Sequence, residues 1–210
     1  MKSFTNFIKE LEFKLTKPLP GLESQNKMAP VTRNLEMKKN THFVPPRASA
    51  VLILFYPKND NIHTVFIKRP EYQGVHSGQI AFPGGKFELE DSSLIYTALR
   101  EANEEIGVNI DQISVIGNLT ELFIPPSNFN VLPVIGITNE RPIFIIDPLE
   151  VDSILEINLH QLLNAENNQH KEILHRNQML VKVPSYYLDN HIIWGATAMI
   201  ISELIDILNS

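Results

Sequence analysis

Three glutamates, Glu101, Glu104 and Glu105, close the stretch FPGGKFELEDSSLIYTALREANEEIGV at residues 82–108. On a helix, residues three and four apart are neighbours, so this spacing puts all three carboxylates on one face, where like charges cost stability. Arg100, four residues before Glu104, can pair with it or steady it. Upstream, Gly84 and Gly85 carry no side chain to keep backbone carbonyls away from that face. Several carboxylates beside free carbonyls suit a hard divalent cation: Mg²⁺ takes oxygen ligands, usually a few carboxylates with water and substrate phosphates, and Mn²⁺ accepts a similar set. An acidic cluster on its own is an ordinary solvated helix face, and the glycine turn before it and Gly107 after it favour the cation reading. A phosphate-binding loop of the Gly-x-x-x-x-Gly-Lys-Ser/Thr type is excluded, because Ile80 stands where its first glycine belongs and Phe87 follows the lysine.

The element that carries these acids reads clearly. Asp91, Ser92 and Ser93 supply N-cap residues, and Leu94, Ile95, Ala98, Leu99, Ala102 and Ile106 form a stripe at three- and four-residue steps, with Gly107 placed as a C-cap. Before it, apolar runs at 49–56 and 62–68 flank the turn PKNDN and predict a hairpin. After it, residues 114–124, 131–137 and 141–147 are strand-like, 152–163 give a short strand and then a short helix, and 172–183 a strand or hairpin arm. The segment 194–208, apolar on most of its circumference, predicts a largely buried helix, and residues 3–15 predict an amphipathic helix that packs on the body. Pro18, Pro20 and Gly21 end that first helix, and a polar connector follows to Pro46. The expected architecture is α/β (α+β): a mixed central sheet, one central helix and one C-terminal helix, layered α/β/α, with residues 1–45 as a docked extension and 46–210 as the main domain.

Composition narrows the classes of function. With 210 residues the chain can bury a substantial core, and 43% apolar with 20% charged residues is ordinary for a globular protein. A net charge of −6 offers no basic footprint for nucleic acid or an anionic membrane, although a local cation can still make an anion site. The absence of cysteine excludes disulfides, thiolate nucleophiles and Cys-type metal sites, and fits a cytoplasmic location. No apolar run approaches the roughly 20 residues a bilayer-spanning helix needs, and no secretory signal is read at the N-terminus.

The order Gly85, five residues, Asp91, eight residues, Arg100-Glu101-Ala102-Asn103-Glu104-Glu105-Ile106-Gly107-Val108 resembles the Nudix box of hydrolases that cleave nucleoside diphosphates linked to another group. The general box has glutamate where this chain has Asp91, and seven residues before the arginine. Both departures resemble the coenzyme A diphosphatase branch. The upstream run VFIKRP-EYQ-G-VHS-G-QIA-FPGG keeps that branch's spacing and matches it at Arg69, Gly78, Phe82, Pro83, Gly84 and Gly85, while Pro70 replaces a serine and Gly74 an arginine.

The resemblance implies a Nudix-type sandwich, Mg²⁺ or Mn²⁺ as cofactor, and hydrolysis of coenzyme A or its thioesters to adenosine 3′,5′-bisphosphate and (acyl-)4′-phosphopantetheine. The competing readings are a Nudix hydrolase for another substrate, such as ADP-ribose or a dinucleotide, and a nucleotide-binding module that does not cleave. Glu104 and Glu105 are expected as principal metal ligands with the Gly84 carbonyl. Glu101 is expected either as a further ligand or as the group that orients the attacking water. Arg100 is expected to position the glutamates, and Asp91 either caps the helix and braces the loop or acts nearer the metal. Glu150 is chosen over Glu121 and Glu140 as an acid supplied by a later loop. Arg69 and His76, with Lys68 and Gly85 nearby, are candidates for the substrate phosphates, although His76 also reads as a plain turn residue. Phe123 and Phe129 either flank the adenine or pack in the core, and Trp194 is assigned to packing. The family also makes a homodimer a fair expectation.

Overall fold

The computed structural model describes residues 3–33, 37, 44–71, 76–164, 168–174 and 180–210. Gly74 and part of the connector before Pro46 lie outside the described residues. The chain opens with two helices, α1 (Phe4–Leu15) and α2 (Gly21–Asn26). Strand β1 (Arg47–Lys58) turns through Asn59 and Asp60, both at positive φ, into β2 (Asn61–Lys68), giving the expected antiparallel hairpin. Short strands β3 (Ile80–Ala81) and β4 (Gly84–Lys86) then lead to helix α3 (Leu94–Ile106). Next come β5 (Ser114–Asn118), β6 (Leu122–Ile124), β7 (Phe129–Ile137), β8 (Ser153–Asn158) and the single-turn helix α4 (Leu159–Leu162). The antiparallel strands β9 (Asn168–Leu174), β10 (Leu180–Leu188) and β11 (His191–Trp194) precede the last helix, α5 (Gly195–Asn209).

Eight strands form a mixed sheet ordered β3-β2-β1-β7-β5, with β4 on β1, β6 on β7 and β8 on β2; β1 and β7 run parallel. Side chains alternate across a strand, and β1 uses this to serve two cores. Ile53 and Phe55 join Phe7, Leu11, Phe66 and the α5 residues Ala198, Ile201 and Leu204. Leu52, Leu54 and Tyr56 face the other way, with Ala98, Ala102 and Ile106 of α3. The sheet therefore lies between α3 on one face and α1 with α5 on the other, a layered mixed α/β fold. Glu203 of α5, fully buried, accepts hydrogen bonds from Gly21 N–H (3.2 Å), Thr120 N–H (3.2 Å) and Gln25 Nε2 (2.8 Å), tying the N-terminal segment to the last helix. Among the described residues no helix is long and apolar enough to cross a membrane.

Three expectations change. The run 114–124 is two strands, β5 and β6, both laid antiparallel on β7, with a bulge in the β5 pairing between Val115 and Gly117. The N-cap of α3 is Ser93, whose hydroxyl accepts from Tyr96 N–H, and not Asp91. The run RPIFIID at 141–147 forms no strand. A helix leaves its last four carbonyls without internal partners, and this segment supplies donors for two of them: Ile145 N–H bonds Ile106 O (2.9 Å) and Asp147 N–H bonds Glu105 O (3.0 Å).

Candidate active site

The glycine turn exists because two backbones meet there. Gly84 has φ 150°, and a Cβ on it would fall 2.4 Å from Ala50 O and 2.5 Å from Val51 Cα. At Gly85 the obstacle is different: a Cβ would lie 2.4 Å from Glu101 Oε2. The turn thus holds a space at the sheet edge that the Glu101 carboxylate enters. Glu105, with a side chain 1% exposed, accepts the Gly84 N–H at 2.8 Å.

Arg100 organises the helix's acids from the side. Its Nε donates to Asp91 Oδ1 (2.8 Å) and its Nη2 to Asp91 Oδ2 (3.0 Å) and Lys86 O (3.1 Å). Its Nη1 holds Glu104 (2.9 Å), and Nη2 also approaches Glu101 Oε1 (3.2 Å). Asp91 takes two further hydrogen bonds, from Glu88 N–H (3.0 Å) and Thr97 Oγ1 (2.8 Å). The Arg100 hydrogen bonds lead in holding its carboxyl well below the usual carboxylate range, against the effect of burial. Asp91 therefore braces the loop and clamps the arginine.

Glu101, Glu105 and Glu150 line one cavity of about 520 Å³, together with Arg69, His76, Gly84 and Gly85. Glu150 reaches it because Asp147 is tied to the end of α3 and Glu150 N–H bonds Asp147 O (3.1 Å). Burial pushes the Glu105 carboxyl up to about 7, opposed by Arg69 and the Gly84 N–H and reinforced by Glu101 and Glu150. Burial also raises Glu101, with Arg100 pulling the other way. The cavity concentrates negative charge in a place where water screens it poorly.

The other expected residues divide clearly. Glu104 is 52% exposed and turned to Arg100, away from the cavity. Lys68 Nζ pairs with Asp152 (2.9 Å) and does not line the cavity. Arg69 Nη2 sits between Gly84 O (3.2 Å) and Glu105 Oε1 (3.4 Å). His76, at φ 70°, contacts Gln79 Oε1 through Nδ1 (3.0 Å) and lines the wall. Glu121 is bound to Asn130, and neither it nor Glu140 reaches the cavity. Phe129 lines the cavity and Phe123 does not. Trp194 ends β11 and serves as the N-cap of α5, half-buried. Sequence reasoning missed Arg47, Ser49 and Val51 of β1 and Thr197 of α5, all lining residues; the first three stand at alternate positions of one strand, a periodicity visible in the sequence.

Among the described residues no three His, Asp or Glu side chains converge closely enough to enclose a metal ion. The donor set nevertheless fits a divalent cation of the Mg²⁺ type, which needs only one or two carboxylates beside water and phosphate oxygens. The Glu101 carboxylate fills the space a Gly85 Cβ would take, and the Arg69 guanidinium already puts positive charge between the Gly84 carbonyl and Glu105.

The NUDIX domain model matches residues 45–176. The chain is 37% identical over 137 residues to "Uncharacterized Nudix hydrolase NudL" of Yersinia pestis (strain Pestoides F), covering 65% of this chain and 68% of that protein. The same figures hold for the protein of that name from Yersinia pseudotuberculosis serotype I (strain IP32953). Among solved structures, a MutT/nudix family protein from Enterococcus faecalis aligns over 89% of this chain and 72% of its own, with 16% identity and a TM-score of 0.48.

Proposed function

We propose a specific reaction on the premise that the chain belongs to the NUDIX domain family and is a pyrophosphohydrolase of nucleoside diphosphate derivatives: it hydrolyses the diphosphate bond of coenzyme A or its thioesters, in the cytoplasm. Hydrolases of this family generally use divalent metal ions such as Mg²⁺ or Mn²⁺. The observation that carries the reading is the meeting of Glu101, Glu105 and Glu150 with the Gly84–Gly85 turn and Arg69 in one cavity. Coenzyme A is favoured by the match of Arg69, Gly78, Phe82, Pro83, Gly84 and Gly85 to the diphosphatase pattern, and by Asp91 with its eight-residue interval to Arg100. Pro70 and Gly74 depart from that pattern and favour, as the second reading, another nucleoside diphosphate derivative such as ADP-ribose.

A diphosphate resists attack by water because it is already negative. Glu101, Glu105 and the Gly84 carbonyl would hold the cation, which when bound neutralises phosphoryl charge and acidifies a coordinated water. Arg69, which reaches Glu105 at 3.4 Å, would turn to a phosphate oxygen, since a guanidinium matches such oxygens bidentately. Glu150, which lines the same cavity, is assigned the removal of the proton from the attacking water, a role that requires it to lie within hydrogen-bond reach of that proton or one water away. The water oxygen bonds to one phosphorus, the P–O bond to the bridging oxygen breaks, and two phosphate monoesters leave: adenosine 3′,5′-bisphosphate and (acyl-)4′-phosphopantetheine. Arg100 holds Glu101 and Asp91 in place without touching the substrate.

Incubation with coenzyme A, acetyl-coenzyme A and ADP-ribose, each with Mg²⁺ or Mn²⁺, followed by mass identification of products, tests the proposal. Coenzyme A left intact while ADP-ribose is cleaved would overturn it in favour of the second reading.

A further inference from the structure

The acids occupy one end of the cavity, and a cation is built into the other. Arg47, the first residue of β1, lines the same cavity as Glu101 and Glu105. Three anchors fix it. Its N–H donates to Asn128 O (2.8 Å), its Nη2 to Ser127 O (3.0 Å), and its guanidinium lies over the Phe129 ring, 4.0 Å from the centroid. The receiving turn is itself tied back, by Ser127 N–H to Ile124 O (3.3 Å) and Asn128 N–H to Pro125 O (3.3 Å), with Asn128 at φ 55°. Among the described residues no carboxylate neutralises Arg47, whereas Arg69 and Arg100 of the same region are both paired with acids.

The register of β1 sets the spacing. Val51 pairs with Gly84 at the acid end, Ser49 with Lys86, and Arg47 with Phe129. Arg47, Ser49 and Val51 all line the cavity, so Arg47 stands four residues, about 13 Å of strand, from the glycine turn. The contact with the Phe129 ring and the single hydrogen bond to Ser127 O use only part of the guanidinium's donor set, and donation by the remaining N–H groups of a planar fork is how arginine takes a phosphate.

We infer that Arg47, held by Phe129 and Ser127, recognises a second phosphate, a monoester on the nucleoside half of the substrate, and so selects substrates that carry one beyond the scissile diphosphate. This rests on the coenzyme A reading, because coenzyme A bears such a monoester on its ribose, whereas ADP-ribose and dinucleotides without a ribose phosphate do not.

The test compares kcat/KM for coenzyme A and for 3′-dephospho-coenzyme A in the wild type, Arg47→Ala and Arg47→Lys. The wild type should favour coenzyme A. Arg47→Ala should reduce the ratio of the two kcat/KM values about 10- to 100-fold, mainly through KM, and Arg47→Lys should retain part of it as a point charge without the fork. An unchanged ratio in Arg47→Ala overturns the assignment while leaving the coenzyme A reading intact. A wild type that cleaves neither compound defeats the coenzyme A reading, and Arg47 is then judged by calorimetric binding of adenosine 3′,5′-bisphosphate against adenosine 5′-monophosphate. Preference for the bisphosphate that Arg47→Ala abolishes upholds the phosphate site. Equal binding, or preference that survives the substitution, overturns it.

Discussion

Adjacent glycines in the turn should respond to the same substitution in opposite ways. At Gly84 an added Cβ meets backbone, Ala50 O at 2.4 Å and Val51 Cα at 2.5 Å, in a conformation (φ 150°) that side chains rarely adopt. Backbone in the middle of a sheet cannot move aside, so Gly84→Ala should cost about 2–4 kcal/mol. For a domain of this size that lowers Tm by roughly 5–15 °C. At Gly85 the added Cβ meets the end of one side chain, Glu101, at 2.4 Å from Oε2 and 2.6 Å from Oε1. A side-chain terminus can swing away, so Gly85→Ala should lower stability by less than about 1 kcal/mol. The carboxylate must leave its place to do so, and a shift of about 1 Å in a catalytic group costs on the order of 100-fold in rate. Differential scanning fluorimetry and diphosphate hydrolysis at saturating Mg²⁺ separate the two effects. Gly84→Ala should melt early; Gly85→Ala should melt close to the wild type and turn over about 100-fold more slowly. A Gly85→Ala enzyme with wild-type kcat would refute the placement of Glu101 against the turn, and one that melts as early as Gly84→Ala would refute the distinction between the two glycines.

Other regions of the molecule give further tests. Burial alone would raise Glu156, but hydrogen bonds from Arg141 (2.7 and 2.8 Å), Lys58 (3.1 Å) and Tyr56 (2.9 Å) outweigh it and hold the carboxyl at about 2 against an ordinary 4.5. A depressed acid stabilises the fold above its unfolded value, so about 1–2 kcal/mol, after solvent screening, should disappear as pH falls from 4.5 towards 2; urea midpoints should show that slope, and Glu156→Gln should flatten it. Glu203→Ala leaves the Gly21 and Thr120 N–H groups without their acceptor and takes one of the two acceptors of the Gln25 amide, and should cost about 2–4 kcal/mol. Limited proteolysis should then cut the N-terminal segment faster, and an unchanged cleavage rate would argue against its being pinned there. Arg100→Lys replaces a fork that grips Asp91, Glu104 and the Lys86 carbonyl by a point charge; kcat should fall about 10- to 100-fold with more Mg²⁺ needed for half-maximal rate, and equal kcat would remove Arg100 from its positioning role.

The central helix was legible because it obeys one periodicity: the stripe from Leu94 to Ile106, and Gly107 at φ 69° as the left-handed cap. Periodicity also holds the reason that Glu104 stands apart. At about 100° per residue, Glu105 lies about 40° from Glu101 around the helix, while Glu104 falls about 60° to the other side, towards Arg100. Two acids therefore enter the cavity and the third closes an ion pair, although all three count as neighbours by spacing alone. The run RPIFIID misleads for a different reason. Its β-branched content describes what the side chains tolerate, while its backbone donors are claimed by the Glu105 and Ile106 carbonyls, a demand set by the end of a helix more than thirty residues earlier. That capping is also what carries Glu150 to the acids, so the same segment that hides from a local reading delivers a site residue. Arg47 hides for a third reason. The apolar run that announces β1 starts at Ser49, but the strand and its alternation begin two residues sooner, on the parallel partner that brings Phe129 beside it. Helix-borne groups follow from local spacing; groups delivered by helix ends and by parallel pairing depend on chain far away, and they are the ones that complete this cavity.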